Sequence, residues 1–473
     1  MIERLLMPGF VGTKPPDWVR RRVAEGLGSV CLYARNVTSP EQLARLCEAL
    51  HSENPQLVIA IDEEGGDVTR LEAATGSSYP GNLALGAVGD PDLTRSVARA
   101  IGLELAHAGI DLDLAPVADV NSNPVNPVIG VRSFGPDPTA VASQTAAWVE
   151  GLQSAGVGAC VKHFPGHGDT SVDSHLALPT VAEDPHKGAL LPFQAGIAAG
   201  AQAVMSAHIV VPVLDGVPAT ISRAVMTDLL RGELGFDALA VSDGIEMRAI
   251  RDGVGILEGA VLALAAGCDL LCIGGGLADE EIVARLLDAI AAAVRSGRIS
   301  EERLAQAGTR VRSFATWRAG RPVPSAAADR EVGLRSARLA IRSEGEVRVG
   351  EAAFAIKLLA GRSIAAGAIP WGVEAALAER GVAVSAHELA QAPDNLDGLL
   401  QQAAGRSLVL TVRDLHRHPW QATLAAAVIE RRPDAVVVEM GLPACRPPGV
   451  SAYIATMGAA RVCGVAAAEV MRP

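Results

Sequence analysis

Eight short apolar runs recur through the first 320 residues, each followed by a polar loop and then a stretch of helical periodicity. They read RLLMPG (4–9), GSVCLY (28–33), LVIAID (57–62), IDLDLAP (110–116), GVGACVKH (156–163), AQAVMSAH (201–208), LAVSD (239–243) and CDLLCIG (268–274). Between them lie helical segments such as SPEQLARLCEALHSE, DLTRSVARAIGLELAHAG and PTAVASQTAAWVEGLQSAG. Strands that read as continuous apolar runs are buried on both faces, as in a parallel sheet covered by helices. A doubly wound open sheet is the competing α/β arrangement, and the number eight favours a closed, TIM-like (β/α)8 barrel.

In a barrel of this kind the C-terminal ends of the strands build the site. Asp62, Asp119, Lys162, His163, His208 and Asp243 all stand at such ends. Any one of them could be a strand-end cap or a salt bridge. Six residues from five strands on one rim point to chemistry.

At 473 residues the chain is too long for one ordinary core, so a second domain is expected. RAGRPVPSAAADR, residues 318–330, has the prolines and small residues of a linker, and the charged helical segment DREVGLRSARLAIRS follows. Alternation resumes with AFAIKLLA, SLVLTVRD, DAVVVEMG and ARVCGV as expected strands, WQATLAAAVIERR as a helix, and MGLPACRPPGVSAYIATMG as irregular chain. The expected layout is a barrel over 1–320, a linker and connecting helix over 321–345, and a smaller α/β sandwich domain over 346–473.

A formal net charge of −12 argues against a nucleic-acid partner, which needs a positive surface. Residues 193–214 lack Asp, Glu, Lys and Arg, but Gln194, Gln202, His208 and Pro212 argue against a membrane span. Glu3 and Pro8 interrupt any signal-peptide pattern, and seven cysteines without a CxxC pair read as reduced, buried thiols. These features predict a cytoplasmic protein.

The stretch KHFPGHGDTSVDSH, 162–175, holds three of the ten histidines. His163 and His167 are four apart, but Pro165 and Gly166 preclude a helix that would pair them on a metal, and Lys162 would repel a cation. No metal or cofactor is expected. Acid/base work suits the segment better: Asp173 stands two residues before His175, close enough to fix its tautomer and favour its protonated form. Gly166 and Gly168 predict a mobile segment able to close over a ligand. Asp243, across the barrel mouth, offers a carboxylate that could act as nucleophile. An acid opposed to a carboxylate is the layout of glycosidic bond cleavage with retention.

On these residues the chain resembles glycoside hydrolase family 3, in its bacterial β-N-acetylglucosaminidase branch of two-domain type. KHFPGHGDTSVDSH is similar to that branch's histidine loop. IDEEGGDVTR (61–70) and NPVIGVRSFGPDP (126–138) resemble its sugar-binding segments, and SDGIEM its nucleophile strand. The resemblance implies Asp243 as nucleophile, with His175 and Asp173 as acid/base. It also implies Asp62, Arg70, Arg132, Lys162 and His163 as groups holding N-acetylglucosamine, and His208 joins this set from its place on the rim. Gly244 departs from the residue some members carry there. The implied activity is removal of terminal β-linked N-acetylglucosamine in peptidoglycan turnover or chitin breakdown. Phosphate instead of water as acceptor, with CIGGG (272–276) as a phosphate-binding run, is one alternative. A route in which the 2-acetamido oxygen attacks and Asp243 orients it is another, and a non-catalytic sugar-binding protein is a third.

Overall fold

The computed structural model describes residues 2–276, 279–361 and 364–473. Its residues cluster into two compact units. The first comprises Met1–Glu64, Thr94–Ile129 and Pro136–Ala328; the second comprises Gly65–Leu93, Gly130–Gly135 and Asp329–Pro473.

Each of the eight expected apolar runs contains a strand of the first unit: β1 (Leu6–Pro8), β2 (Ser29–Leu32), β3 (Val58–Ile61), β4 (Leu112–Asp113), β5 (Gly158–Phe164), β6 (Ala203–Ser206), β7 (Leu239–Val241) and β8 (Leu271–Ile273). Parallel ladders join β2 through β7 in chain order, and a further ladder pairs β1 with β8. A parallel bridge between Val241 and Leu270 links β7 to β8, and β1 lies against β2, which closes the ring.

One buried cluster takes side chains from all eight strands, among them Met7, Cys31, Ala60, Leu112, Cys160, Met205, Val241 and Cys272. With aromatics at only 3% of the chain, the interior is filled by small and flexible residues, and packing density depends on fit. Phe314, on the helix Glu301–Ala319, plugs this core. A Cβ on Gly158 would sit 2.5 Å from its ring, so β5 can pass the plug only without a side chain there.

Capping residues start the outer helices where the sequence announces them. Ser39 before Pro40 accepts the Gln42 N–H at 3.1 Å, and Asp137 before Pro138 accepts the Ala140 N–H at 2.7 Å. A polar cap followed by Pro satisfies an orphan donor and presets φ for the first turn.

In the second unit a six-stranded sheet has the order β11-β10-β12-β13-β14-β9. Its strands are β9 (Arg342–Glu344), β10 (Ala352–Leu358), β11 (Ala383–Leu389), β12 (Ser407–Val412), β13 (Val436–Glu439) and β14 (Ala452–Ala455), all parallel except the edge strand β9. Apolar clusters cover both faces.

The sequence expectations need three corrections here. ARVCGV opens the helix Arg461–Met471, because the Ala-rich continuation makes the segment long enough for a helix. The stretch expected to be irregular contains β14, and β11 lies in a half-exposed segment without an apolar run. Segments 65–93 and 130–135, expected within the barrel, cluster with the second unit. The bonds that hold the first of them are local to that unit: Asp67 pairs with Arg413 and accepts the Ala459 N–H at 2.9 Å, and Arg70 Nη2 donates to the Ala365 carbonyl at 2.9 Å.

Below the barrel core, Asp269 is fully buried and meets Arg231, Arg303 and Arg310 at 2.6, 2.7 and 3.4 Å. Removing this carboxylate leaves clustered guanidinium charges uncompensated. Asp269→Ala is therefore expected to cost about 3–5 kcal/mol, measured as a fall in the urea midpoint at unchanged slope. A midpoint equal to that of the parent chain would contradict the account.

Candidate active site

The rim of the first unit gathers its charges in pairs. The Lys162 ammonium on β5 lies 2.6 Å from Asp62 Oδ1 and 2.8 Å from Glu64 Oε1. Lys162 and Glu64 are buried, whereas Asp62 keeps part of its carboxylate exposed. Beneath them Asp113 is fully buried, and burial pushes its carboxyl well above the usual range although the Glu63 N–H donates to it at 2.9 Å. One ammonium thus serves the two carboxylates it touches. Glu64 was not among the residues singled out in the sequence, although its place in DEEGG beside Asp62 was a signal.

The register of β5 against β6 shifts between Lys162 and Phe164, which places His163 at a bulge. Bulges re-aim side chains beside active sites. The Lys162–His163 peptide is cis, as are Ala115–Pro116 and Phe164–Pro165. His163 Nδ1 donates to Asp119 Oδ2 at 2.8 Å, and the His167 amide donates to Asp119 Oδ1 at 2.6 Å. One buried carboxylate therefore holds both histidines of the segment's first half.

His167 is buried, with its ring nitrogens bonded to Thr170 Oγ1 at 2.8 Å and Ser174 Oγ at 3.0 Å. The glycines expected to loosen this segment instead fit it to its surroundings. A Cβ on Gly168 would lie 1.7 Å from the Val120 carbonyl oxygen, and Gly166 has a φ of +129°. Beyond this anchored half, Asp173 Oδ1 accepts from His175 Nδ1 at 2.7 Å and from the His175 amide at 2.9 Å. Burial opposes ionisation of Asp173, but these bonds outweigh it and hold the carboxyl below its ordinary range. The His175 side chain is 23% exposed, and Asp173 takes its Nδ1, which leaves Nε2 for other partners.

Asp243 follows β7, and its Oδ1 accepts the Gly244 N–H at 2.7 Å. Burial would push this carboxyl up. The nearby rings of His208, His163 and His175, with the Gly244 amide, outweigh that and hold it at about 2. Asp243 and His175 therefore share one mouth within electrostatic reach.

His208, expected among the sugar-holding groups, is 0% exposed and has both ring nitrogens occupied. Nε2 donates to the Gly244 carbonyl at 2.9 Å and Nδ1 accepts from Thr220 Oγ1 at 2.7 Å. Burial lowers its pKa, so the ring is neutral and braces the peptide beside Asp243. Arg70 and Arg132 belong to the second unit, where the Arg132 carbonyl accepts from Asn82 Nδ2 at 2.7 Å.

The CIGGG run is not an open phosphate cradle. Glu246 Oε1 accepts the amides of Gly274 at 2.9 Å, Gly275 at 2.5 Å and Gly276 at 3.4 Å. Sequence reasoning overlooked Glu246, since nothing local ties it to a loop nearly thirty residues on. Among the described residues no group of three or more His, Cys, Asp or Glu side chains is placed to hold a metal ion.

Comparison with known proteins places these observations. Residues 2–314 match the Glycosyl hydrolase family 3 N terminal domain. A solved family 3 β-N-acetylglucosaminidase from Paenibacillus sp. str. FPU-7 is 35% identical, with a TM-score of 0.89 over 100% of this chain and 95% of that one. The β-hexosaminidase A of Pseudoalteromonas piscicida is 37% identical over 64% of this chain, and the match spans only 56% of that protein's length. The β-hexosaminidase of Thiobacillus denitrificans (strain ATCC 25259 / T1) is 39% identical over 59% of this chain and 81% of its own.

His167 generates a stability prediction. Burial lowers its pKa from 6.5 to about 4, so the unfolded chain binds this proton more readily than the folded one. Its contribution is complete above pH 6.5 and falls away as the pH drops toward 4, by about 3 kcal/mol. Replacing His167 with Gln should flatten the stability profile between pH 6.5 and 4 in denaturant titrations. An unchanged slope would mean the ring is not buried neutral.

Proposed function

Because the chain belongs to glycoside hydrolase family 3, we propose that it is a retaining, exo-acting β-N-acetylglucosaminidase that releases terminal β-linked N-acetylglucosamine. The observation that carries this reading is the 2.7 Å Asp173–His175 pair set within electrostatic reach of an ionised Asp243.

In the first displacement the Asp243 carboxylate attacks the anomeric carbon. The His175 imidazolium, its Nδ1–H held by Asp173, gives the Nε2 proton to the departing oxygen. The leaving alcohol departs, and the sugar is an ester of Asp243. In the second displacement neutral His175 takes a proton from water as that water attacks the same carbon. The ester bond breaks, Asp243 regains its electron pair, His175 is again an imidazolium, and the sugar leaves in its β configuration.

Asp62 presents acceptor oxygens to ring hydroxyls, Lys162 fixes that carboxylate, and His163 joins them on the same rim. His208 positions the nucleophile through Gly244 without touching the sugar. The assignment of Arg70 and Arg132 to the sugar rests on family resemblance alone. The expected setting is turnover of peptidoglycan or chitin fragments in the cytoplasm. Among the described residues no helix is long and apolar enough to cross a membrane.

Asp243→Asn should retain sugar binding and lose turnover of a chromogenic N-acetylglucosaminide by about four decades, and a 5-fluoro sugar should label Asp243 in the parent chain. Normal turnover by the Asn variant would remove Asp243 from the role. For His175→Ala, the loss should be large on alkyl glycosides and small on nitrophenyl glycosides, which depart without protonation. Equal losses on both substrates would show that His175 is not the acid.

A further inference from the structure

Successive backbone N–H groups converging on one point form a nest suited to an anion. The loop after β8 has this form at Gly274, Gly275 and Gly276, and its occupant is the chain's own Glu246. The loop is held from its other side as well: Arg35 donates through Nη2 to the Gly274 carbonyl and through Nη1 to the Gly275 carbonyl, the latter at 3.0 Å. Amides are therefore bound by a carboxylate and carbonyls by a guanidinium, so the loop keeps its shape with no external ligand.

Glu246 Oε2 is buried and has no hydrogen-bond partner. A Cβ on Gly244 would lie 3.3 Å from that oxygen, and one on Gly275 would lie 3.0 Å from Oε1. The absence of side chains at both positions leaves room for the carboxylate. Glu246 acts electrostatically on Tyr33 and His208, and Asp62 also acts on Tyr33, so the charge belongs to the barrel mouth.

We propose that Glu246 is a specificity-determining residue, an internal anion that fills the three-amide nest after β8 and so excludes phosphoryl groups from the mouth. An anion entering the mouth meets a fixed carboxylate where it would otherwise meet three amides. Two sources of that chemistry are kept out: inorganic phosphate, and a phosphate ester on the terminal sugar. In Glu246→Ala the amides lose their internal partner and accept an external one. Were free phosphate then to reach the Asp243 ester, its oxygen would bond to the anomeric carbon. The bond to Asp243 would break with its electrons returning to the carboxylate, and a sugar 1-phosphate would form.

The acceptor consequence rests on the proposed function; the binding consequence does not, and the test separates them. Phosphorus NMR and calorimetry with inorganic phosphate, without substrate, should show no saturable binding to the parent chain and saturable binding to Glu246→Ala, with an affinity at least about tenfold above the parent's detection limit. A second arm uses a 6-phosphorylated nitrophenyl N-acetylglucosaminide, for which the variant should gain binding over the parent. Saturable phosphate binding by the parent chain would overturn the proposal, even if the variant failed to fold. So would a folded Glu246→Ala chain, verified by circular dichroism, that gains affinity for neither ligand. Gain of phosphate binding in the variant, together with a parent chain that cleaves no N-acetylglucosaminide, would uphold the nest and count against the glycosidase reading.

Discussion

An ionised carboxylate is stable in a protein interior only when donors replace the water it loses, and that constraint organises the barrel unit from floor to mouth. Asp269 is matched by three guanidinium groups. Asp119 is matched by the ring and backbone N–H groups of two histidine residues. Glu246 is matched by a run of glycine amides. Asp113 receives one amide and shares a lysine with two competitors, and it is the carboxyl that burial pushes well above the usual range. Charge state at the mouth thus follows from donor supply. Asp243 stays ionised because imidazoles and a peptide N–H face it, and ionisation is what a nucleophile requires.

Donor supply also explains how the nucleophile is aimed. The Gly244 peptide is held at both ends, its N–H by Asp243 and its carbonyl by His208. His208 is in turn fixed by Thr220, whose hydroxyl also contacts Ser206 Oγ at 2.8 Å. A buried, neutral imidazole suits this work, since a charged ring would tolerate the cavity poorly. The sequence showed a histidine at a strand end, and strand ends are where barrels bind ligands. What it could not show was that both ring nitrogens point into the protein.

The parts of the fold that were legible share one property: their signal lies within about ten residues. The eight apolar runs and the Ser39-Pro40 and Asp137-Pro138 starts are of this kind, as is Asp173 two residues before His175. Parts that failed depend on partners far along the chain. ARVCGV reads as a strand until the following alanines are counted. Gly168 reads as a hinge until the Val120 carbonyl 1.7 Å from its imagined Cβ is seen. Segment 65–93 follows a barrel strand in sequence yet bonds to residues beyond 360, as Asp67 does with Arg413 and Arg70 with Ala365. No local pattern encodes such a choice.

Gly168 carries this argument into the chemistry. A loop that must place an acid opposite a nucleophile gains little from looseness, because small displacements of reacting groups cost large factors in rate. Here the first half of the histidine segment is fastened by Asp119, Asn126 and close glycine contacts, and its exposure rises only toward Ser171 and Val172. Rigidity is concentrated where His163 and His167 meet buried groups. Solvent exposure begins at Ser171 and Val172, just before Asp173 and His175, the pair that must exchange a proton with an incoming and a departing group. The glycines let the first half pack closely, and Asp173 carries positioning beyond it by fixing the ring it is bonded to.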